Sequence, residues 1–147
     1  MENNKAMQAS EEQMLYAKWL EKGMLIGLVL LVISFALYVF GIITPVIPLD
    51  ELSNYWKLPV KEYLTAVNST FLHQPHPPTG WAWLKLIGKS DFLNFLPIAI
   101  LSGITILCYG VIVPVFQRKG EKAYLIMAIA EVVILTLAAS GFLSAGH

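Results

Sequence analysis

Three apolar segments, at about 23–44, 92–116 and 123–145, each reach the roughly 20 predominantly apolar residues that a helix needs to cross a bilayer. A chain of 147 residues that spends so much of its length this way has little left for a soluble core. Hydrophobic residues make up 56% of it and charged residues only 14%, with a mean hydropathy of +0.63, well beyond what a soluble domain of this size requires. The predicted fold is an all-α integral membrane protein with three transmembrane helices, whose first partner is the lipid bilayer.

The segments order the rest of the chain. Residues 1–22 are mostly polar and read as a cytoplasmic N-terminal segment. The first span is too long for the apolar region of a signal peptide and runs into Thr44-Pro45-Val46-Ile47-Pro48 with no small-x-small cleavage site, so it reads as a signal anchor. The second and third spans are separated only by Gln117-Arg-Lys-Gly-Glu-Lys122 (117–122), which forces an antiparallel hairpin. Lys5, Lys18 and Lys22 precede the first span, and Arg118, Lys119 and Lys122 fill that turn. The longer 45–91 connection spreads Lys57, Lys61, Lys85 and Lys89 over more than 40 residues. Cation density therefore predicts a cytoplasmic N-terminus, an extracytoplasmic 45–91 connection and an extracytoplasmic tail at 146–147. The expected location is a bacterial inner (cytoplasmic) membrane.

The 45–91 connection carries structure of its own. Pro59 suits a first helical position, and Val60, Tyr63, Leu64 and Val67 follow on one helical face, with Leu49, Leu52 and Trp56 making a similar stripe before it. Trp81-Ala-Trp-Leu-Lys-Leu-Ile-Gly88 pairs Trp81 and Trp83 with Lys85 and ends at a glycine suited to a C-cap. Tryptophan and lysine together favour the headgroup layer, so short interfacial helices are predicted here, with Trp56, Trp81 and Trp83 as anchors.

Soluble chemistry finds no foothold. Net charge is +0 and the cations are scattered, which excludes a nucleic-acid footprint. The single cysteine, Cys108, lies inside an apolar segment and permits neither an intrachain disulfide nor a cysteine zinc site. The spans hold no histidine to ligate an intramembrane haem, and His73 and His76 sit in a proline-broken loop without a nearby Cys, Asp or Glu. His147 has no evident partner. No nucleophile elbow, phosphate loop or zinc-protease motif occurs. No cofactor, metal or catalytic residue is expected, and the chain reads as non-enzymatic.

The apolar spans carry their own patterns. At 3.6 residues per turn, Gly23, Gly27, Ser34, Tyr38 and Gly41 share one face of the first span, and its small residues predict close packing against another helix. Asn94, Ser102, Thr105 and Tyr109 share an arc of the second. Tyr124, Ala128, Glu131, Leu135, Ala138 and Phe142 are placed together on the third, with Ala128 and Ala138 as packing positions. Glu131 is the only charged residue within the three segments. A carboxylate at that depth costs a few kcal/mol on insertion scales, so it demands a partner or a use. It lies about 12 Å from the start of its helix, and the same depth on the preceding helix reaches Cys108, a turn or less from Tyr109 and Thr105. An intramembrane cluster of Glu131, Tyr109 and Thr105 is therefore expected.

Gly110-Val-Ile-Val-Pro114, the charged turn, the Ala123-Tyr124 restart and the closing Ala138-Ala-Ser-Gly141 resemble a bacterial family of small three-helix membrane proteins of unknown function, some of them associated with sulfite-type anion exporters. That resemblance covers 97–141 and implies the three-helix layout. Two functions stay open on the residues themselves. One is a non-catalytic small subunit of a larger respiratory or transport complex, in which the striped helices and the 45–91 connection are contact surfaces. The other is a homo-oligomeric transporter or channel component with Glu131 as its proton or cation site. The absence of an internal repeat favours the first.

Overall fold

The computed structural model describes residues 9–141, which are helical or irregular with no strand among them. Three helices are long and apolar enough to cross a membrane, α1 (Glu11–Val39), α5 (Phe95–Lys119, extended backwards to Ser90 by the short α4, Ser90–Leu93) and α6 (Lys122–Ser140). Between α1 and α4 lie α2 (Leu52–Tyr55), α3 (Val60–Val67), a π-helical turn at Asn68–Leu72 and a 3₁₀ helix at Gly80–Leu86. The helical stretches expected in the 45–91 connection thus form, in shorter pieces.

Each long helix has a local reason for its limits. Ser10 caps α1, its backbone N–H donating to Gln13 Oε1 at 3.0 Å, which is the reciprocal half of a capping box. Residues 11–22, part of the polar segment that precedes the first span, form the first three or so turns of the same helix. At the far end Gly41 takes a left-handed φ of 65°, Gly41 N–H donates to the Tyr38 carbonyl and Ile42 N–H to the Leu37 carbonyl. That Schellman closure stops α1 at Val39, short of the expected boundary at Thr44. The same device recurs after α5. Gly120 has φ 72°, Gly120 N–H reaches the Gln117 carbonyl and Glu121 N–H the Phe116 carbonyl, so the connection narrows to Gly120 and Glu121. Helix α6 ends at Ser140 because Gly141 turns left-handed (φ 79°), and the rest of the third segment expected to 145, with Phe142 and the 146–147 tail, lies outside the described residues.

The chain forms two compact units, one from the described parts of Met1–Leu28 and Ala99–His147, the other from Val29–Ile98. In the first, α1 and α5 run antiparallel. As position rises along α1, its partner on α5 falls. Glu12 pairs with Lys119, Tyr16 sets its ring edge-on to Tyr109 at 5.6 Å, Gly23 meets Ile104, and Gly27 meets Leu101. Helix α6 joins through a small core of Ile112, Phe116 and Ala128, with Tyr16, Tyr109, Val113 and Leu125 packed around it and Tyr124 stacked on Phe116. Much of the rest of its surface, including Ile126, Met127, Ile129, Val133, Ile134 and Leu137, is exposed. Such a helix, greasy on every side and buried at little more than one alanine, suits lipid or a further helix and not water.

The second unit is organised by a strap after α1. Pro45 and Pro48 have no N–H, so Val46 and Ile47 carry the donors of that short non-helical stretch, and a backbone donor taken from water needs an acceptor. Asp91 supplies it, accepting from Val46 N–H at 2.5 Å and Ile47 N–H at 3.3 Å through Oδ2. Ser90 N–H adds a bond to the Thr44 carbonyl at 3.4 Å. The two ends of the 45–91 connection are therefore tied to each other, which closes the elements between them into a loop.

Candidate functional site

No hydrogen bond joins Glu131 to Tyr109 or Thr105, the residues expected to cluster with it. Glu131 is exposed, and no hydrogen bond or ion pair joins it to another described residue. Tyr109 instead turns its ring to Tyr16. The reason is rotational. Along α6 the less exposed residues are Leu125, Ala128, Val132 and Leu135, spaced 3, 4 and 3, so the buried face is centred between Ala128 and Val132. With about 100° per residue, Glu131 falls roughly 80° to one side of that centre. Ala138, expected as a packing position, lies further round and is exposed, whereas Ala128 is buried at 3% exposure.

The small-residue stripe of α1 is placed differently. Gly23, Gly27 and Ser34 are all buried, and a Cβ on Gly27 would stand 2.5 Å from Leu101 Cδ2 and 2.6 Å from its Cγ, closer than real atoms approach. Gly23 faces Ile104 as tightly. Ser34 returns its hydroxyl to the Leu31 carbonyl at 3.1 Å. Of the three tryptophans expected as anchors, Trp56 is exposed at 71%, Trp81 is partly exposed and stacks on Trp83, and Trp83 packs against Phe95. His73 has a left-handed φ of 51° and sets Nδ1 3.1 Å from the Ser69 carbonyl, ending the π-helical turn. Among the described residues no group of His, Cys, Asp and Glu is placed to hold a metal ion.

The structure offers a site that the apolar spans do not. Within the second unit lies a cavity of about 500 Å³, walled by Tyr38 at the end of α1, Leu52 of α2, Tyr63, Leu64 and Val67 of α3, Asn68, Leu72, Pro77 and Pro78, and Asp91, Phe92, Asn94 and Phe95. A mostly apolar lining with a few convergent polar groups is the usual make-up of a small-molecule site, and the size falls in the usual range. Two polar atoms beside it lack partners. Asn94 Oδ1, on the wall, and Ser90 Oγ, on a fully buried residue one turn earlier, are buried without a hydrogen bond. Such atoms are uncommon because leaving one unpaired costs about 1–3 kcal/mol.

In the sequence Tyr38 and Asn94 belong to helix stripes, and Asp91 marks only the boundary before the second span. The available signal was a lone acid at the start of a span in a chain whose previous span ends in Pro-x-x-Pro. It goes unnoticed because the two are more than 40 residues apart.

An uncharacterized protein of Archaeoglobus fulgidus is 43% identical over 137 residues, covering 93% of this chain and 92% of that one. The chain belongs to that protein's family. No family profile matches the chain, and no solved structure matches it. The two proteins are thus of nearly equal length and match over almost all of it, the 45–91 connection included.

Proposed function

We propose that this protein is a small, non-catalytic integral membrane subunit that binds a helix of a larger membrane protein through the Glu131 edge of α6, with α1, α5 and α6 spanning a cytoplasmic membrane and the N-terminus in the cytoplasm. The observation that carries the reading is the exposed position of Glu131 in an apolar helix. A carboxyl group at membrane depth that no described residue of its own chain satisfies favours a donor or cation from another chain. The exposed apolar residues one turn to either side of it, Met127 and Ile134, would then be covered by the same partner. The ion pair of Glu12 with Lys119 also supports the orientation, since it holds the start of α1 beside the cation-rich turn.

Purification in mild detergent, with mass spectrometry of everything recovered in stoichiometric amount, tests this. The expected result is a larger membrane protein that is retained by Glu131→Gln, which keeps hydrogen-bonding capacity, and reduced at least tenfold by Glu131→Leu. Recovery of the chain as a homogeneous homo-oligomer that conducts ions in liposomes, with conduction lost in Glu131→Gln, would replace this reading with that of a channel.

A further inference from the structure

We propose that the cavity of the second unit is a binding site for a primary ammonium group attached to an apolar body. Its one charged group and its one unpaired buried atom are both acceptors. Asp91 offers a carboxylate whose Oδ2 is held by two backbone N–H groups and whose other oxygen takes no hydrogen bond from the described residues. Asn94 Oδ1 is a buried acceptor with no donor. Tyr38 and Tyr63 also line the cavity, and an aromatic ring attracts a cation that comes over its face. No lysine, arginine or histidine is among the lining residues, and Lys89, the cation that acts on Asp91 from outside, is not part of the wall.

An ammonium has three donors and no acceptor, so it can meet the Asp91 carboxylate and Asn94 Oδ1 together, whereas that carboxylate would repel a carboxylate or phosphate with no lining cation to offset it. The rest of the wall, from Leu52, Leu64, Phe92 and the paired prolines, is apolar and would take a hydrocarbon body of the ligand. The ligand could be drawn from two sources with this chemistry, an amine-headed phospholipid or a free alkylamine. The clamp that holds Asp91 to the strap also fixes the carboxylate before any ligand arrives, which lowers the cost of ordering the site. This inference is independent of the role given to Glu131.

Calorimetric titration of the full chain in uncharged detergent with n-butylammonium, n-butanol and butyrate tests it. Saturable binding of n-butylammonium at least tenfold tighter than n-butanol, with no binding of butyrate, is expected. Asp91→Asn, which keeps an acceptor for the strap, should weaken the amine at least tenfold and leave n-butanol unchanged. Should Asp91→Asn fail to fold, Tyr63→Phe and Asn94→Leu, each expected to weaken the amine several-fold, serve in its place. Displacement of n-butylammonium by phosphatidylethanolamine but not phosphatidylcholine in the micelle would identify a lipid headgroup, and its persistence a free amine. Equal binding of the amine and the alcohol, binding of butyrate, or an amine affinity indifferent to all three substitutions would overturn the proposal.

Discussion

Gly27→Val is expected to destabilise the protein by about 1–3 kcal/mol, the usual cost of forcing extra carbon into a filled contact. The first atom it adds already falls 2.5 Å from Leu101 Cδ2 and 2.6 Å from Cγ, so Leu101 must leave its position or α1 must move off α5. Moving the whole side chain is required because Cγ is close to the α5 backbone and not a freely swinging tip. Gly23→Val should act the same way through Ile104. Together the two substitutions should separate the antiparallel pair, since both contacts lie along the same seam and cannot be relieved by one local shift. Gly103→Ala is the control. It also lies in a long helix, but a Cβ there meets nothing within 4 Å, so relief of glycine's backbone entropy should leave stability unchanged or raise it by roughly 0.5–1 kcal/mol. Thermal unfolding in detergent, followed by far-ultraviolet circular dichroism, measures all three; equal loss in Gly27→Val and Gly103→Ala would show that packing along this seam is not what the glycines serve.

The second large effect is expected at Asp91. Asp91→Ala removes the acceptor from Val46 and Ile47, and neither amide has another partner within the Pro45 to Pro48 strap. Hydrogen bonds to a charged acceptor contribute about 1.5–3 kcal/mol, so a loss of that order is expected. Asp91→Asn keeps one carbonyl oxygen and should lose less than half as much. Hydrogen exchange localises the effect. The Val46 and Ile47 amides should exchange at least tenfold faster in Asp91→Ala, with the amides of α6 unchanged. Protection at Val46 that survives the substitution would show that the strap is held by something other than this carboxylate.

Some of this was legible in the residues and some was not. The three long helices follow from run length and hydropathy, which are properties of each segment alone. The Gly23, Gly27 and Ser34 stripe could be read as well, because small residues among large ones mark the face of α1 that allows close approach. Helix ends were harder. Gly41, Gly120 and Gly141 each stop a helix by turning left-handed, yet glycines 23, 27, 103 and 110 sit inside helices in equally apolar surroundings. Composition does not separate the two uses, whereas the Schellman hydrogen bonds do.

Run length, hydropathy and residue spacing are enough to give three helices suited to a membrane, a tight hairpin of the last two and a seam of small residues on α1. The direction in which α6 faces and the cavity gathered by the 45–91 connection depend on contacts between distant segments. For α6 the reason is that large apolar residues surround the whole helix, so no face is marked as inner; the fit of Ala128 against Ile112 and Phe116 selects one and leaves Glu131 at its edge. For the cavity the reason is distance along the chain. Tyr38, Tyr63, Asp91 and Asn94 belong to three separate elements, and the bonds from Val46 and Ile47 to Asp91 close the connection that gathers them.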